Sequence, residues 1–357
     1  MDRGGSAEGV PRRLVLVTGS GRSGTSTVAG LLSHLGLYVP QPVLPANQSN
    51  PRGFYESSWP VTFHQRLAKH ARINQFDARP DAEARVRAAV TDAHRTELGD
   101  WLNEQAEFGR QLVVKDPRSV FSLSLWADAA READLPIRYL SMLRHPAEVL
   151  GSYATYYTTT SDQARRRRYQ VFILARWLNA TLTFERGTRG QPRTFVSYPD
   201  LLDDWRGTMD GVREDLGLQF PAPWVAGRPH AGDDFLDPDL RRMRTQFADL
   251  AMPRGLQAIA EEVWDSLEVL TQQHGADPTA SARLDELAAR YAELYEDALA
   301  ITQNAYEAAV AEARRAGAAK ARRALRQERR VQAPSPSAAD RLRRVVRRAR
   351  QVLADRT

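Results

Sequence analysis

The chain has 357 residues, 42% of them hydrophobic and 26% charged, a composition that fits a folded globular protein with one large domain and an appendage. It contains no cysteine, which excludes a disulfide framework, a thiolate nucleophile and Cys-ligated zinc. The net charge of +6 is unevenly spread: residues 311–357 hold 15 Lys/Arg against 4 Asp/Glu, so the first 310 residues carry −5 and nucleic acid is not an expected partner.

Met1 to Pro11 is polar and Gly-rich without an apolar centre, so no secretory signal is expected. No apolar run reaches the roughly 18 residues of a membrane span, and a cytoplasmic location is the expectation. Arg13 to Thr18 (RLVLVT) reads as a buried strand, Gly19 to Gly24 as a turn, and Thr25 to Gly36 as a helix stopped by glycine. Tyr38 to Pro60, rich in Pro, Asn and Ser, reads as a long loop, followed by helices at Val61 to Ala71 and Asp81 to Phe108. Gln111 to Lys115 and Ile137 to Leu143 are strands, with a helix over Val120 to Ala133 between them. Helices at Pro146 to Tyr157 and Arg165 to Arg189 precede a fourth strand at Thr194 to Ser197. Strands alternating with helices predict a parallel sheet covered on both faces. Leu240 to Leu250, Gly255 to Gln273 and Ala280 to Arg330 read as charged helices, with Asp237-Pro238-Asp239 as a helix cap rather than a metal site.

Gly19-Ser20-Gly21-Arg22-Ser23-Gly24-Thr25-Ser26 sits between the first strand and the first helix. Such a loop curls backbone N–H groups around an anion, and the helix N-terminus adds positive potential. It matches a nucleoside-triphosphate loop except that Thr25 stands where Lys is required, which argues against an ATP-dependent kinase. A second strand-to-helix junction reads Tyr139-Leu140-Ser141-Met142-Leu143-Arg144-His145-Pro146, with Ser152 eight residues after Arg144. Pro146 suits the first turn of the helix that carries Ser152.

Together these two segments resemble the sulfotransferase family that uses 3′-phosphoadenosine 5′-phosphosulfate (PAPS). The resemblance extends through Asn50-Pro51-Arg52-Gly53-Phe54-Tyr55-Glu56, Lys115-Asp116-Pro117-Arg118 and Val196-Ser197-Tyr198-Pro199-Asp200-Leu201, covering about residues 12–220. It implies a P-loop-NTPase-like, three-layer α/β fold with a central parallel sheet, here with a C-terminal helical extension, and an enzyme that leaves PAP as product. It implies a donor site made of Gly21, Arg22, Ser23, Gly24, Thr25, Ser26, Arg144, Ser152 and Tyr198, and transfer without a metal. Arg22 would stabilise charge on the bridging oxygen, and Lys115, one of only 3 lysines beside 47 arginines, would contact the transferring group. The base is open between Glu56, as in sugar-modifying relatives, and His64, as in cytosolic ones. The family's C-terminal Gly-x-x-Gly-x-x-Lys element is missing, leaving Arg241 and Arg242 as candidates to complete the 3′-phosphate site. A non-catalytic nucleotide-binding adaptor remains the alternative outside enzymes.

The expected organisation is a sulfotransferase domain over 12–275, a charged helical extension over 276–330, a Pro/Ser linker over 331–339 and a basic helix over 340–357. In that last helix Leu342, Val345, Val346, Ala349, Val352 and Leu353 share one face and six arginines occupy the rest. This pattern suits either a peripheral contact with an anionic membrane surface, on its inner face, or a solvated or coiled-coil helix. Together with the resemblance of Glu56 to sugar-modifying relatives, the membrane contact implies a glycan or glycolipid hydroxyl as acceptor.

Overall fold

In the computed structural model the described residues are 9–157, 162–236, 244–332 and 338–354. Asp237, Asp239, Arg241 and Arg242, together with most of the Pro/Ser stretch, lie outside them. Chain order is β1 (Arg13–Thr18), α1 (Thr25–His34), α2 (Ser58–His70), α3 (Ala82–Ala89), α4 (Asp92–Ala106), β2 (Gln111–Lys115) and α5 (Leu123–Glu132). It continues with β3 (Ile137–Leu143), α6 (Pro146–Tyr157), α7 (Gln163–Gly187), β4 (Arg193–Ser197), α8 (Tyr198–Asp203), α9 (Trp205–Leu216) and α10 (Ala231–Phe235). The last helices are α11 (Arg254–Gln272), α12 (Pro278–Gln332) and α13 (Ala338–Ala354).

The four strands form one parallel sheet in the order β2-β1-β3-β4. Their two-residue alternation sorts the core into two clusters. Leu14, Leu16, Leu112, Val114, Tyr139 and Phe195 face one side, where helices such as α5, α7 and α11 pack; Val15, Val17, Val113, Leu140, Met142 and Val196 face the other, under α1 and α9. The result is the three-layer α/β arrangement that the strand and helix pattern predicts.

The chain leaves β1 for β2 on one side and later returns to β3 on the other. Connections therefore diverge at the carboxyl ends of β1 and β3, where open parallel sheets bind ligands. Register brings Val17 beside both Lys115 and Leu140, and Leu143 beside Ser197, so the loops after all four strands open at one edge.

Several local predictions differ from the structure; the helix expected over Val120 to Ala133, for one, starts only at Leu123, after a 3₁₀ turn at Pro117–Phe121. The helix expected over Asp81 to Phe108 is two helices, because Val90 is extended and Thr91 opens α4 with a capping box to His94. The loop expected up to Pro60 gives way to α2 at Ser58, with the hydroxyl of Ser57, the residue before it, donating to the Pro40 carbonyl. The helix expected over Leu240 to Leu250 is, in its described part, only a 3₁₀ turn at Phe247–Asp249. By packing, Met1–Glu296 form one unit and Asp297–Thr357 another; in the second, α13 leaves Leu342, Val345 and Val346 exposed. Among the described residues no helix is long and apolar enough to cross a membrane.

Candidate active site

The loop between β1 and α1 is bent by left-handed residues, Gly19 at φ 121°, Arg22 at φ 69° and Gly24 at φ 96°. Glycine is required at position 24 for a second reason: a Cβ there would sit 2.2 Å from Cδ2 of the Tyr198 ring. At Gly21 a Cβ would meet the Tyr153 hydroxyl at 2.6 Å. The first turn of α1 holds no acidic residue, so its partial positive charge is not neutralised from within the helix. Ser23 Oγ is buried and has no hydrogen-bond partner among the described residues. An orphaned hydroxyl beneath a glycine cradle fits a loop whose polar partner is a bound anion.

The strand-to-helix junction after β3 stands across the crevice. Arg144 follows β3 directly; its Nε donates to Glu148 Oε2 at 3.0 Å, and one Nη donates to the Arg22 carbonyl at 3.4 Å. Its guanidinium lies 5.0 Å from the Tyr198 ring centroid, and burial raises the Tyr198 hydroxyl pKa against the opposing charge of Arg144. Ser152, two turns into α6, accepts a hydrogen bond from Arg22 Nε at 3.0 Å. The two motifs therefore touch each other through side chains.

Glu56 lies on the third side and is buried. Its Oε1 accepts from Lys115 Nζ at 2.5 Å and its Oε2 from Arg118 at 3.0 Å. Lys115 Nζ also donates to Ser26 Oγ at 3.3 Å, which accepts from Asn50 Nδ2 at 3.1 Å. β2 thus delivers a cation to the base of the glycine loop, near where a nucleoside-triphosphate loop carries its own lysine.

His64 is held elsewhere. It is 3% exposed, with Nδ1 2.7 Å from Asp116 Oδ2 and Nε2 accepting from the Trp126 indole at 2.9 Å. An indole N–H only donates, so the ring proton sits on Nδ1 and points to Asp116, and both ring nitrogens are used inside the fold. Burial works against the charge of Asp116, yet His64 and Arg118 outweigh it and hold the carboxyl far below its usual range. Arg118, bonded to Asp116 Oδ1 at 2.7 Å, is partly buried, and its two carboxylate neighbours raise its pKa over the opposing effect of burial.

These walls enclose a cleft of about 510 Å³. Gly21, Arg22, Gly24, Thr25, Ser26, Glu56, Lys115, Arg144, Ser152 and Tyr198 all line it; Ser23 lies buried and His64 does not reach it. Two further cations, Arg118 and Arg176, and the rings of Phe54, Phe76, Tyr153 and Tyr169 also line it. The sequence shows Arg118 only as the end of the Lys115-Asp116-Pro117-Arg118 segment and not as a ligand of Glu56, and no motif marks Arg176.

The family model described as "Sulfotransferase family" matches residues 15–222, more than half of the chain. Among solved structures the chain is similar to the sulfotransferase domain from the Synechococcus PCC 7002 olefin synthase, at 19% identity and TM-score 0.42 over 74% of this chain and 97% of that one. It is similar also to the sulfotransferase domain from the curacin biosynthetic pathway, at 16% identity and TM-score 0.40 over 72% and 98%. No curated protein matches significantly. The match of the family model across both halves of the cleft identifies this chain as a member of the sulfotransferase family, an enzyme that transfers a sulfuryl group to a hydroxyl-bearing acceptor.

Proposed function

We propose that the donor is PAPS and that the acceptor is a carbohydrate or glycolipid hydroxyl. The observation that carries the donor reading is the convergence of the glycine loop, the buried Ser23 hydroxyl, Arg22, Arg144 and Ser152 on one crevice. Two anion-binding segments facing one another suit a nucleotide charged at both its 5′ and 3′ positions. In this reading the loop amides and Ser26 hold the 5′-phosphosulfate, and Arg144 with Ser152 holds the 3′-phosphate. Tyr198 closes over the loop at Gly24.

The donor supplies the sulfuryl group and leaves as PAP. An acceptor O–S bond forms while the bond from sulfur to the bridging oxygen breaks, its electron pair going to the PAP phosphate. Arg22 and Lys115 are permanent and compact cations, respectively, suited to stabilise charge that develops on the bridging and sulfuryl oxygens. Glu56 takes the acceptor proton: each carboxylate oxygen keeps a lone-pair site beyond its bond to Lys115 or Arg118. His64 serves the fold, because both its nitrogens are engaged away from the cleft. Phe54, Phe76, Tyr153 and Tyr169 offer ring surfaces on which a sugar face can rest. The exposed apolar residues of α13, set among arginines, suit an anionic lipid surface where a lipid-linked sugar would be met.

Thermal unfolding with PAP, and separately with ATP and Mg²⁺, tests the donor. A ligand at about 100 times its Kd adds roughly 2.7 kcal/mol of stability. A rise in Tm with PAP and none with ATP is expected; a rise with ATP and Mg²⁺ alone would make the protein a phosphotransferase.

A further inference from the structure

Five cations line the cleft: Arg22, Lys115, Arg118, Arg144 and Arg176. Four of them have polar partners. Lys115 and Arg118 bind Glu56, Arg144 binds Glu148, and Arg22 donates to Ser152 and to the Ser49 carbonyl. Arg176 differs. Among the described residues it forms no hydrogen bond or ion pair, and its Nε is buried without a partner.

Aromatic rings take the place of a counter-ion. The guanidinium lies 4.9 Å from the centroid of Phe76, 5.3 Å from Phe172 and 5.9 Å from Tyr153. Burial lowers its pKa, with Tyr153, Tyr169 and Asp77 opposing that effect. Asp77 is committed elsewhere, to the Arg79 side chain at 2.7 Å and to the Asn74 and Arg79 amides at 2.7 and 2.8 Å. The arrangement is built into the fold. Asn179, one turn along α7, donates to the carbonyls of Asp77 and Arg79 at 2.9 and 2.8 Å and so fixes the loop bearing Phe76.

Phe76 also locates Arg176 relative to the chemistry. The same ring lies 5.1 Å from Arg118, which holds Glu56, whereas Arg144 stacks on Tyr198. Arg176 thus adjoins the wall that carries the proposed proton acceptor. A partly desolvated guanidinium with rings but no anion is costly to keep and gains most from an oxyanion.

We propose that Arg176 binds an oxyanion, a carboxylate or a phosphate ester, carried by the acceptor in addition to the hydroxyl that is sulfated. Arg176 then selects acidic acceptors, and the Phe76 and Tyr153 rings flank the group it binds. This assignment rests on the sulfotransfer reading above, and the PAP arm of its test separates the two.

Melting curves of the whole chain, with and without PAP, test it with phenyl β-D-glucuronide against phenyl β-D-glucoside, and with glucose 6-phosphate against glucose. The anionic member of at least one pair should raise the wild-type Tm more than its neutral counterpart, and which pair responds tells carboxylate from phosphate. Arg176→Ala should bind that anionic probe about tenfold or more weakly and erase the difference, and Arg176→Lys should restore part of it. The PAP-induced rise should be unchanged in both variants. Equal shifts within each pair in the wild type, or a difference that survives in Arg176→Ala, would overturn the assignment. Loss of the PAP rise in Arg176→Ala would overturn it as well, by giving Arg176 to the donor. Absence of a PAP rise in the wild type counts against the donor reading alone.

Discussion

Arg22 Nε donates to Ser152 Oγ at 3.0 Å across 130 residues of chain, so the loop after β1 and the helix after β3 are joined by a side-chain contact. The same loop is joined a second time through Arg144 to the Arg22 carbonyl. In the proposed reading, a donor bound here would meet two segments that already constrain each other, which reduces what must be ordered on binding.

Arg22→Ala is expected to lower kcat by about a hundredfold to a thousandfold, the usual loss of one charge-stabilising donor in a transition state. Arg22→Lys should recover only part of the loss, because an ammonium lacks the planar fork that binds Ser152 and, in the proposed reading, would reach the transferring group as well. PAP release under saturating donor and acceptor measures both.

Arg144→Ala should weaken PAP while leaving AMP almost untouched, since AMP has no 3′-phosphate. The expected loss for PAP is about tenfold to a hundredfold, in line with charged hydrogen bonds worth roughly 1.5–3 kcal/mol. Calorimetric titration with the two nucleotides reads the difference directly, and an equal loss for both would remove Arg144 from the 3′-phosphate role.

Glu56 and His64 are separated by one pair of variants. Glu56→Gln should cut kcat by about a hundredfold or more and keep the PAP-induced rise in Tm. His64→Gln should keep kcat within a few-fold while lowering Tm, because it disturbs the contacts to Asp116 and Trp126. The reverse pattern would make His64 the base.

Asp116 gives a prediction about acid. Its folded pKa is lowered from the ordinary 3.8, so the stability it contributes is complete above that value and is lost as pH falls through the lower folded value. Asp116→Asn leaves Arg118 with one carboxylate fewer in a buried setting and should cost about 3 kcal/mol at pH 7. The gap between wild type and variant, followed by urea unfolding, should shrink only below about pH 4.

Removing residues 338–357 should abolish sedimentation with vesicles rich in phosphatidylserine and leave PAP binding intact. Equal sedimentation of both forms would end the membrane reading of α13.

The sequence was most legible where one constraint dominated. β2 (QLVVK) and β3 (IRYLSML) are short runs built on aliphatic residues, and α6 begins at a proline; the boundaries of all three follow from the residues alone. The glycine loop and Arg144 were readable because strand, loop and helix obey fixed geometry. Arg176 was not, because its setting needs Phe76 and Tyr153, which other segments bring to Phe172 on its own helix, and no motif in residues 165–189 marks it among the arginines there. Equally hidden was the double hold on Glu56, where only the fold brings Lys115 and Arg118 to opposite oxygens. The break after Val90 was written in Thr91, but a helical period on both sides concealed it.

Adjacency of β1 and β3 sets more than the place of the crevice. Neighbouring parallel strands lie about 4.8 Å apart, a spacing fixed by backbone hydrogen bonds that no surface substitution alters. The loop after one strand and the arginine after the other are therefore the two ends of a rigid ruler. Under the donor reading, a nucleotide is measured by the span between its two charged groups, and changing the donor would require rebuilding the sheet, whereas changing the acceptor requires only new side chains on the far wall.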